Sequence, residues 1–244
     1  MLIEAKGITK AFGAFKAVDN ASVTVEEGDI LGLIGPNGAG KSTFFNCLTG
    51  DTAPTAGTVH FAGHDVTNAP PEARARLGLA RSFQVPLTFE SMSVLENATI
   101  GALLRHPNAR DAKTKAMAVL DRVGLGRLAD TPARSLGTPG RKRLEIARAL
   151  ASEPKVLLLD EAMAGLTPTE VREAIDLVRR IHGDGITIVI VEHIMEVITS
   201  LTHRVVVFHQ GREISRGTPR EVTSDPKVIE AYLGRRKVKH AGDV

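Results

Sequence analysis

The sequence predicts an α/β fold whose core is a mainly parallel β-sheet covered by helices on both faces. Segments typical of strands alternate with segments typical of helices along most of the chain. Several of these strands are apolar throughout, which is the pattern of strands buried on both faces of a sheet. In addition, polar motifs follow the ends of several strands. Ligands of such folds bind at the carboxyl ends of the strands, so these motifs are expected to form a site.

The composition allows one large domain or a core with an inserted subdomain, since the chain has 244 residues and 43% of them are hydrophobic. The net charge of +3, from 31 basic and 28 acidic residues, gives no general argument for nucleic-acid binding. Cys47 is the only cysteine, which excludes an intrachain disulfide and fits a reducing, cytoplasmic setting. The first residues lack the apolar core of a signal peptide, and no run approaches the roughly 20 apolar residues that span a bilayer.

The N-terminal part predicts two strands, at 2–8 and 18–25, with a turn at 26–29. Phe12 and Phe15 precede the second strand. An aromatic ring at this place could stack on a purine base. The alternative is that one or both rings pack in the core.

The stretch Gly35-Pro36-Asn37-Gly38-Ala39-Gly40-Lys41-Ser42-Thr43 has the pattern G-x-x-x-x-G-K-S/T of a phosphate-binding loop. Its glycines let the backbone turn several N–H groups towards phosphate oxygens. Lys41 is predicted to reach the β- and γ-phosphates, and the Ser42 hydroxyl to bind Mg²⁺. An apolar strand is predicted before the loop, and a helix after it whose positive N-terminal end faces the same anion. This context argues against a chance match.

The next predicted elements are a strand at 57–61, a helix at 70–77 and a strand at 79–83 that ends at Gln84. A glutamine at a strand end, followed by proline, marks the entry to a different segment. That segment, about 85–150, is predicted to be helical, with helices at 94–104, 113–123 and 141–151.

An apolar strand at 156–159 ends in two carboxylates, Asp160 and Glu161. Four apolar residues followed by Asp are typical of a strand that delivers an acid to bound Mg²⁺, directly or through water. Glu161 points elsewhere and can orient or deprotonate an attacking water. The alternative is a strand that ends in a polar turn, and the phosphate loop elsewhere in the chain disfavours it.

The C-terminal third predicts a further strand at 186–191, after which His193 could reach a γ-phosphate. A purely structural histidine is the alternative. The other histidines lack metal-ligand spacing, so no metal site other than that for Mg²⁺ is predicted. The remaining predicted elements are a helix at 168–182, a hairpin at 204–216 that turns at Gln210-Gly211, and helices at 219–224 and 226–233.

This set and order of motifs resembles the ATP-binding subunit of ABC transporters over residues 2 to about 234. The resemblance implies a P-loop NTPase core, a small antiparallel β region and an inserted α-helical subdomain at about 85–150. These form one domain over 1–234, followed by a basic, flexible tail at 235–244, for which contact with lipid headgroups is an alternative. It also implies ATP and Mg²⁺ as cofactors and ATP hydrolysis as the activity.

The roles that the resemblance implies are assigned residue by residue. Gly35–Thr43 is similar to the Walker A loop, 157–160 to the Walker B strand and 164–167 to the D-loop. The implied catalytic residues are Lys41, the Q-loop residue Gln84, the catalytic glutamate Glu161 and the switch histidine His193. The implied Mg²⁺ ligands are Ser42, Gln84 and Asp160. The implied nucleotide-binding residues are Phe12, which would stack on adenine, together with Val18, Gly35–Thr43, Gln84 and Asp160.

Four segments are similar to the ATP-binding subunits of branched-chain amino acid importers, namely 45–50, 81–84, 144–148 and 225–234. Such importers pair two different ATPase subunits with two permeases and a periplasmic binding protein. The resemblance therefore implies a peripheral subunit on the cytoplasmic face of the membrane, with a second ATPase subunit as partner and no nucleic acid. Importers of urea or short amides use similar subunits, so these substrates are an alternative to branched-chain amino acids. A homodimer is the alternative to pairing with a different ATPase subunit.

The family's signature, L-S-G-G-Q or L-A-Y-G-Q, is altered in this chain. Counting back from Leu144 without a gap aligns Leu136-Gly137-Thr138-Pro139-Gly140 with it. If Pro139-Gly140 is instead a two-residue insertion, Ser135-Leu136-Gly137 aligns with the S-G-G of the signature. Either alignment puts a proline, which lacks an N–H, near the segment that contacts ATP held by the partner subunit. Ala162 also replaces the usual proline.

Three other classes of function remain as alternatives. A soluble ABC ATPase acting on nucleic acid or ribosomes would usually carry two cassettes or a long coiled coil. A metabolite kinase would need an acceptor site and an arginine-rich lid. A purely structural ATP-binding protein would be favoured by an inactive signature segment.

Overall fold

The computed structural model describes residues 1–84 and 87–233, and the chain divides into two compact units. Unit 1 comprises Met1–Arg74 and Val189–Val244, and unit 2 comprises Ala75–Ile188. The predicted basic tail at 235–244 lies outside the described residues. In the part of the chain that is described, no helix combines the length and apolar character needed to cross a bilayer.

Unit 1 contains the predicted antiparallel β region, a four-stranded sheet in the order β2-β1-β4-β5. Its strands are β1 (Ile3–Phe12), β2 (Phe15–Val25), β4 (Ala56–Phe61) and β5 (His64–Asp65). β1 and β2 are longer than the predicted strands, because they continue to a tight turn at which Phe12 pairs with Phe15. The expectation that both rings lie before the second strand is wrong for Phe15, the first residue of β2.

The second sheet region of unit 1 holds the phosphate-loop motif. β9 (Arg204–His209) pairs in parallel with β3 (Ile30–Ile34) and in antiparallel with β10 (Arg212–Gly217), so the predicted hairpin is confirmed. α1 (Lys41–Thr49) begins within the motif, at Lys41, and is capped at its C-terminal end by Gly50, whose φ of 86° suits a glycine. The C-terminal helices are α7 (Met195–Leu201), α8 (Pro219–Ser224) and α9 (Pro226–Leu233).

Unit 2 contains two parallel strands and the predicted helices. β6 (Leu79–Arg81) pairs with β7 (Val156–Asp160), and Arg81 lies opposite Leu158. All four apolar residues of β7 are inaccessible to solvent, as expected for a strand covered on both faces. The helices of this unit are α3 (Val94–Ala102), α4 (Ala109–Arg122), α5 (Thr138–Ala151) and α6 (Pro168–Gly183).

Two elements carry the chain from one unit to the other, α2 (Pro71–Leu77) and β8 (Thr187–Val191). Capping boxes fix the starts of α3 and α6, where Ser93 pairs with Glu96 and Thr167 with Glu170.

The sequence analysis missed β5 and α7, which are only two and seven residues long. The division into a domain at 1–234 with a helical part at about 85–150 stays a prediction; α3 and α4 lie within that range, and α5 extends one residue beyond it.

Candidate functional site

The phosphate loop of unit 1 is built by backbone contacts within its own sheet region. Gly211, at the tip of the β9–β10 hairpin, donates its N–H to the Ala39 carbonyl at 2.9 Å. The same residue accepts a hydrogen bond from the Asp19 N–H at 2.8 Å. The hairpin tip therefore connects β2 to the loop and holds the loop in place.

Two glycines of the loop are required by close approach of other backbone atoms. A Cβ atom on Gly35 would collide with the Phe208 carbonyl oxygen, and one on Gly40 would collide with the Ala17 carbonyl oxygen. Gly40 also has a φ of 97°, which side-chain-bearing residues rarely adopt. These contacts explain why glycine stands at the first and the sixth positions of the loop.

Lys41 is the first residue of α1, and its side chain folds back over the loop. The ammonium donates to the Gly35 carbonyl at 2.6 Å and to the Pro36 carbonyl at 3.1 Å. Gly40 provides no side-chain cap for α1. Ser42 is exposed in the first turn of α1, and the N–H groups at this end of a helix are the ones that commonly bind an anion.

The predicted adenine-stacking ring stands at the end of β1. Phe12 is 55% exposed, and the Lys10 ammonium lies 5.2 Å from its ring centroid. The ring is therefore not packed in the core, which was the alternative. Val18, in contrast, is a fully buried residue of β2, and its nucleotide contact stays a prediction.

His193 lies two residues beyond the end of β8, after the buried Glu192, and its side chain is exposed. This position after a strand is the one that the sequence predicts. Its approach to a γ-phosphate stays a prediction.

Unit 2 brings three of the predicted site residues together at the ends of β6 and β7. Gln84 donates from Nε2 to Oε2 of Glu161 at 2.6 Å. Glu161 has a φ of 45°, in the left-handed region that costs of order 1–3 kcal/mol for such a residue. Strain of this kind is common where a side chain must be aimed for function.

The neighbouring Asp160 is buried, and residues at the C-terminal end of β6 and just beyond it hold it in place. Arg81 donates to its Oδ2 at 3.1 Å, and the Asp160 N–H donates to the Ser82 hydroxyl at 3.3 Å. Sequence analysis did not single out Arg81, although it quoted the residue as part of a family-like segment. No local pattern indicates that this arginine meets that aspartate.

Lys142 of α5 makes a second contact that sequence analysis missed, this time with Glu161. It is buried, and its ammonium donates to the Glu161 carbonyl at 3.3 Å. This bond fixes the backbone of the strained glutamate, in addition to the contact of its carboxylate with Gln84. The helix that begins within the altered signature thus also supports the predicted catalytic residue.

The altered signature segment forms the start of α5. Gly137 is the N-cap, and Pro139 and Gly140 lie in the first helical turn. The helix continues from Thr138 without a loop, which favours the ungapped alignment. Arg141 fixes the preceding backbone by donating to the carbonyls of Leu136 and Arg134 at 2.9 and 3.0 Å.

Glu145, also on α5, connects this helix to the segment that follows Gln84. It is only 3% exposed, and Oε1 accepts from the Leu87 N–H at 3.4 Å. Burial raises the pKa of its carboxyl group, and backbone hydrogen bonds from Leu87 and Phe83 oppose this rise. Ionisation of Glu145 is therefore less favourable in the folded chain than in water.

Arg74 supports the far end of α1 and was not predicted either. It is fully buried and donates to the Cys47 and Leu48 carbonyls at 2.8 and 2.6 Å. It also donates to the Ala69 and Thr67 carbonyls. The guanidinium therefore binds carbonyls at the C-terminal end of the helix that begins at Lys41, where a positive charge is favourable.

The predicted ligands of Mg²⁺ are a hydroxyl on Ser42, a carboxylate on Asp160 and an amide oxygen on Gln84. These hard oxygen donors suit Mg²⁺, which in nucleotide sites takes few protein ligands and completes its shell with phosphates and water. Among residues 1–84 and 87–233, no three His, Cys, Asp or Glu residues cluster to hold a metal without a nucleotide. The donor set therefore fits an ion that arrives with a phosphate ligand.

Comparison with protein families gives two matches. The family described as ABC transporter matches residues 18–164. The family described as branched-chain amino acid ATP-binding cassette transporter matches residues 212–238, which include β10, α8 and α9.

Curated relatives and solved structures agree with these matches. The chain is 37% identical to the high-affinity branched-chain amino acid transport ATP-binding protein LivG of Salmonella typhimurium, over 96% of this chain and 98% of that protein. It is 35% identical to BraF of Pseudomonas aeruginosa, which has the same description, over 96% of this chain. Its structure is similar to the ADP conformation of an ATP-binding cassette of an ABC transporter, with a TM-score of 0.87, 33% identity and coverage of 96% and 99% of the two chains.

Proposed function

Since the chain belongs to the ABC transporter family of ATP-binding proteins, we propose that it is an ATPase subunit of an importer that takes up branched-chain amino acids. ATP hydrolysis would drive uptake across the cytoplasmic membrane, with this subunit bound to the cytoplasmic face of the permeases. The observation that carries the substrate assignment is the match of residues 212–238 to the family described as branched-chain amino acid ATP-binding cassette transporter. Relatives that match 96% of the chain are also described as branched-chain amino acid transport proteins. Urea and short amides are the alternative substrates.

The phosphate loop is proposed to bind the β- and γ-phosphates of ATP. On binding, the Lys41 ammonium would exchange its present acceptors, the Gly35 and Pro36 carbonyls, for phosphate oxygens. The exchange keeps the ammonium hydrogen-bonded, so that its desolvation costs little in either state. Phe12 would stack on the adenine ring, and its exposure supports this role.

Glu161 is proposed to accept a proton from the water that attacks the γ-phosphate, while His193 contacts that phosphate. The bond from water oxygen to phosphorus forms as the bond from phosphorus to the β–γ bridging oxygen breaks, and ADP and phosphate leave. Ser42, Asp160 and Gln84 would hold Mg²⁺, which when bound would neutralise charge on the phosphates. Positioning of these groups accounts for most of the rate in such reactions.

The subunit is proposed to act as one half of an ATP-driven clamp. ATP on this phosphate loop would be completed by the signature segment of a second ATPase subunit, and neither half alone surrounds the γ-phosphate. Binding would therefore favour the closed dimer, because only that state makes both sets of contacts. Closure would reach two permeases near Gln84 and residues 85–100, and hydrolysis would reopen the clamp.

The experiment that tests this assembly is capture of tagged Glu161→Gln protein, with ATP, from gently solubilised membranes, followed by mass spectrometry. We expect two permease-like membrane proteins and a second ATPase subunit. A matched capture with Lys41→Ala, which is expected not to bind ATP, should recover less of the second ATPase subunit. Recovery of soluble proteins or nucleic acid alone would contradict the importer assignment and favour a non-transport ATPase.

A further inference from the structure

We infer that Arg81 is a positioning residue that fixes the orientation of the Asp160 carboxylate, and through it the binding of Mg²⁺ together with the nucleotide. The inference deepens the proposed function and rests on it, since it takes Asp160 as a ligand of that ion. No role for Arg81 follows from the motifs themselves.

The contact between the two side chains is an ion pair in a largely buried setting. Arg81 Nη2 lies 3.1 Å from Asp160 Oδ2, and the side chains are only 12% and 8% exposed. A charge-assisted hydrogen bond is stronger and more directional than a neutral one. With Oδ2 held in this way, rotation of the carboxylate is restricted, which fixes the direction of Oδ1 as well.

The guanidinium is itself held by contacts other than Asp160. Its central carbon lies 4.4 Å from the ring centroid of Phe83, and Nε donates to the Ser82 carbonyl at 3.4 Å. Stacking of a planar guanidinium on an aromatic face is a geometry that lysine cannot reproduce. Arg81 is therefore a preorganised donor and not a mobile surface charge.

The backbones that carry the pair are in fixed register. Arg81 lies opposite Leu158 in the parallel pair of β6 and β7. Beyond the end of β6, the Ser82 N–H donates to the Leu158 carbonyl at 2.8 Å, and the Ser82 hydroxyl accepts from the Asp160 N–H at 3.3 Å. The pair is thus held through its backbone as well as through its side chains.

The same short segment also holds the second carboxylate. Gln84, three residues after Arg81, donates to Glu161 at 2.6 Å. Residues 81–84 therefore bind the predicted metal ligand and the predicted general base at once. A displacement of this segment would therefore change the contacts of both carboxylates together.

Partners that orient a metal-binding carboxylate affect affinity strongly, and their loss typically costs 10–100-fold. The test measures binding of a fluorescent ADP to the purified full chain, once with Mg²⁺ and once with EDTA. The ratio of the two affinities reports how much the metal contributes. For Arg81→Met we expect this ratio to fall about tenfold, with ADP affinity in EDTA unchanged because Arg81 is not proposed to contact the nucleotide.

Two matched variants distinguish positioning of Asp160 from a general effect of removing a positive charge. Arg76→Met removes an exposed arginine from the same unit and should leave the ratio unchanged. In an Asp160→Asn background, Arg81→Met should have no further effect on the ratio, because the carboxylate that it orients is gone.

Three results would overturn the inference. A higher ratio in Arg81→Met would show that the arginine competes with the metal. An unchanged ratio with a lower melting temperature would show a purely structural role. A further fall of the ratio in the Asp160→Asn background would show that Arg81 acts through another group. Absence of ADP binding to the wild-type chain in both buffers would instead contradict the proposed function.

Discussion

The Nε2 atom of Gln84 lies 2.6 Å from Oε2 of Glu161, so the predicted Q-loop glutamine binds the predicted catalytic carboxylate directly. A carboxylate oxygen engaged in this bond has one position fewer at which to accept a hydrogen bond from water. Release of Glu161 from Gln84 would therefore free this oxygen to contact the attacking water. On the proposed function, movement of the segment that carries Gln84 would then affect when hydrolysis occurs.

Glu161→Gln is expected to keep ATP binding and to trap the closed dimer with its partner subunit. Loss of a general base typically lowers a rate by roughly 10²–10⁴-fold, so phosphate release should fall by about that factor. Phosphate release measures the ATP turnover, and light scattering measures the size of the assembly. Hydrolysis at the wild-type rate would refute the role of Glu161.

Lys41→Ala is expected to abolish nucleotide binding, because the ammonium is the only charged side chain of the loop 35–43. Isothermal titration of the purified chain with ATP measures the effect. Lys113→Ala, which changes an exposed lysine in unit 2, is the matched control and should bind as the wild type does. An unchanged ATP affinity in Lys41→Ala would contradict the assignment of the phosphate loop.

Glu145→Gln is expected to change how stability depends on pH. Burial raises the pKa of Glu145 in the folded chain, so its stabilising contribution is present below the ordinary value of 4.5 and is lost as pH rises through the folded value. Because the variant has no ionisable group at this position, its melting temperature should rise relative to that of the wild type as pH increases above 4.5.

The control for this effect is Glu90→Gln, which changes an exposed glutamate of the same unit. Its melting temperature relative to the wild type should stay nearly constant across the same pH range. If instead the melting temperature of Glu145→Gln falls relative to the wild type as pH rises, the predicted sign is wrong.

Pro139→Gly is expected to raise ATP turnover of the assembled transporter. Pro139 lies in the first turn of α5 and lacks the N–H that a glycine would supply to ATP on the partner subunit. Loss of one such donor can slow a site by about 10²–10³-fold, so its return at one of two sites would at most about double the total turnover.

The matched control for this substitution is Pro219→Gly, which changes the proline at the start of α8. Turnover should stay at the wild-type level in that variant. If Pro139→Gly also leaves turnover unchanged, the proline does not limit the site, and the altered signature is functional as it stands.

The sequence predicted the elements whose patterns are local. Gly35–Thr43 could be assigned because the motif needs fixed residue types between a strand and a helix. Asp160 and Glu161 could be assigned because they end an apolar run. The short helix α7 was missed because seven residues give too little periodicity to distinguish a helix from a loop.

Contacts between distant residues could not be predicted. Arg74 has the pattern of an ordinary polar residue in a short amphipathic helix, yet it is fully buried against a carbonyl 26 residues away in sequence. The pairing of Arg81 with Asp160 spans 79 residues and depends on the register of β6 and β7. Such pairs are set by tertiary packing, which leaves no periodic or motif signal in the chain.

The central claim is tested most directly by reconstituting the captured assembly in vesicles and measuring ATP-driven uptake of labelled leucine. With this chain in its wild-type form we expect uptake that requires ATP and the substrate-binding protein, and with Glu161→Gln we expect none. Unlabelled isoleucine and valine should compete with leucine, and urea should not. ATP-driven uptake of urea or an amide without uptake of leucine would contradict the assignment of branched-chain amino acids.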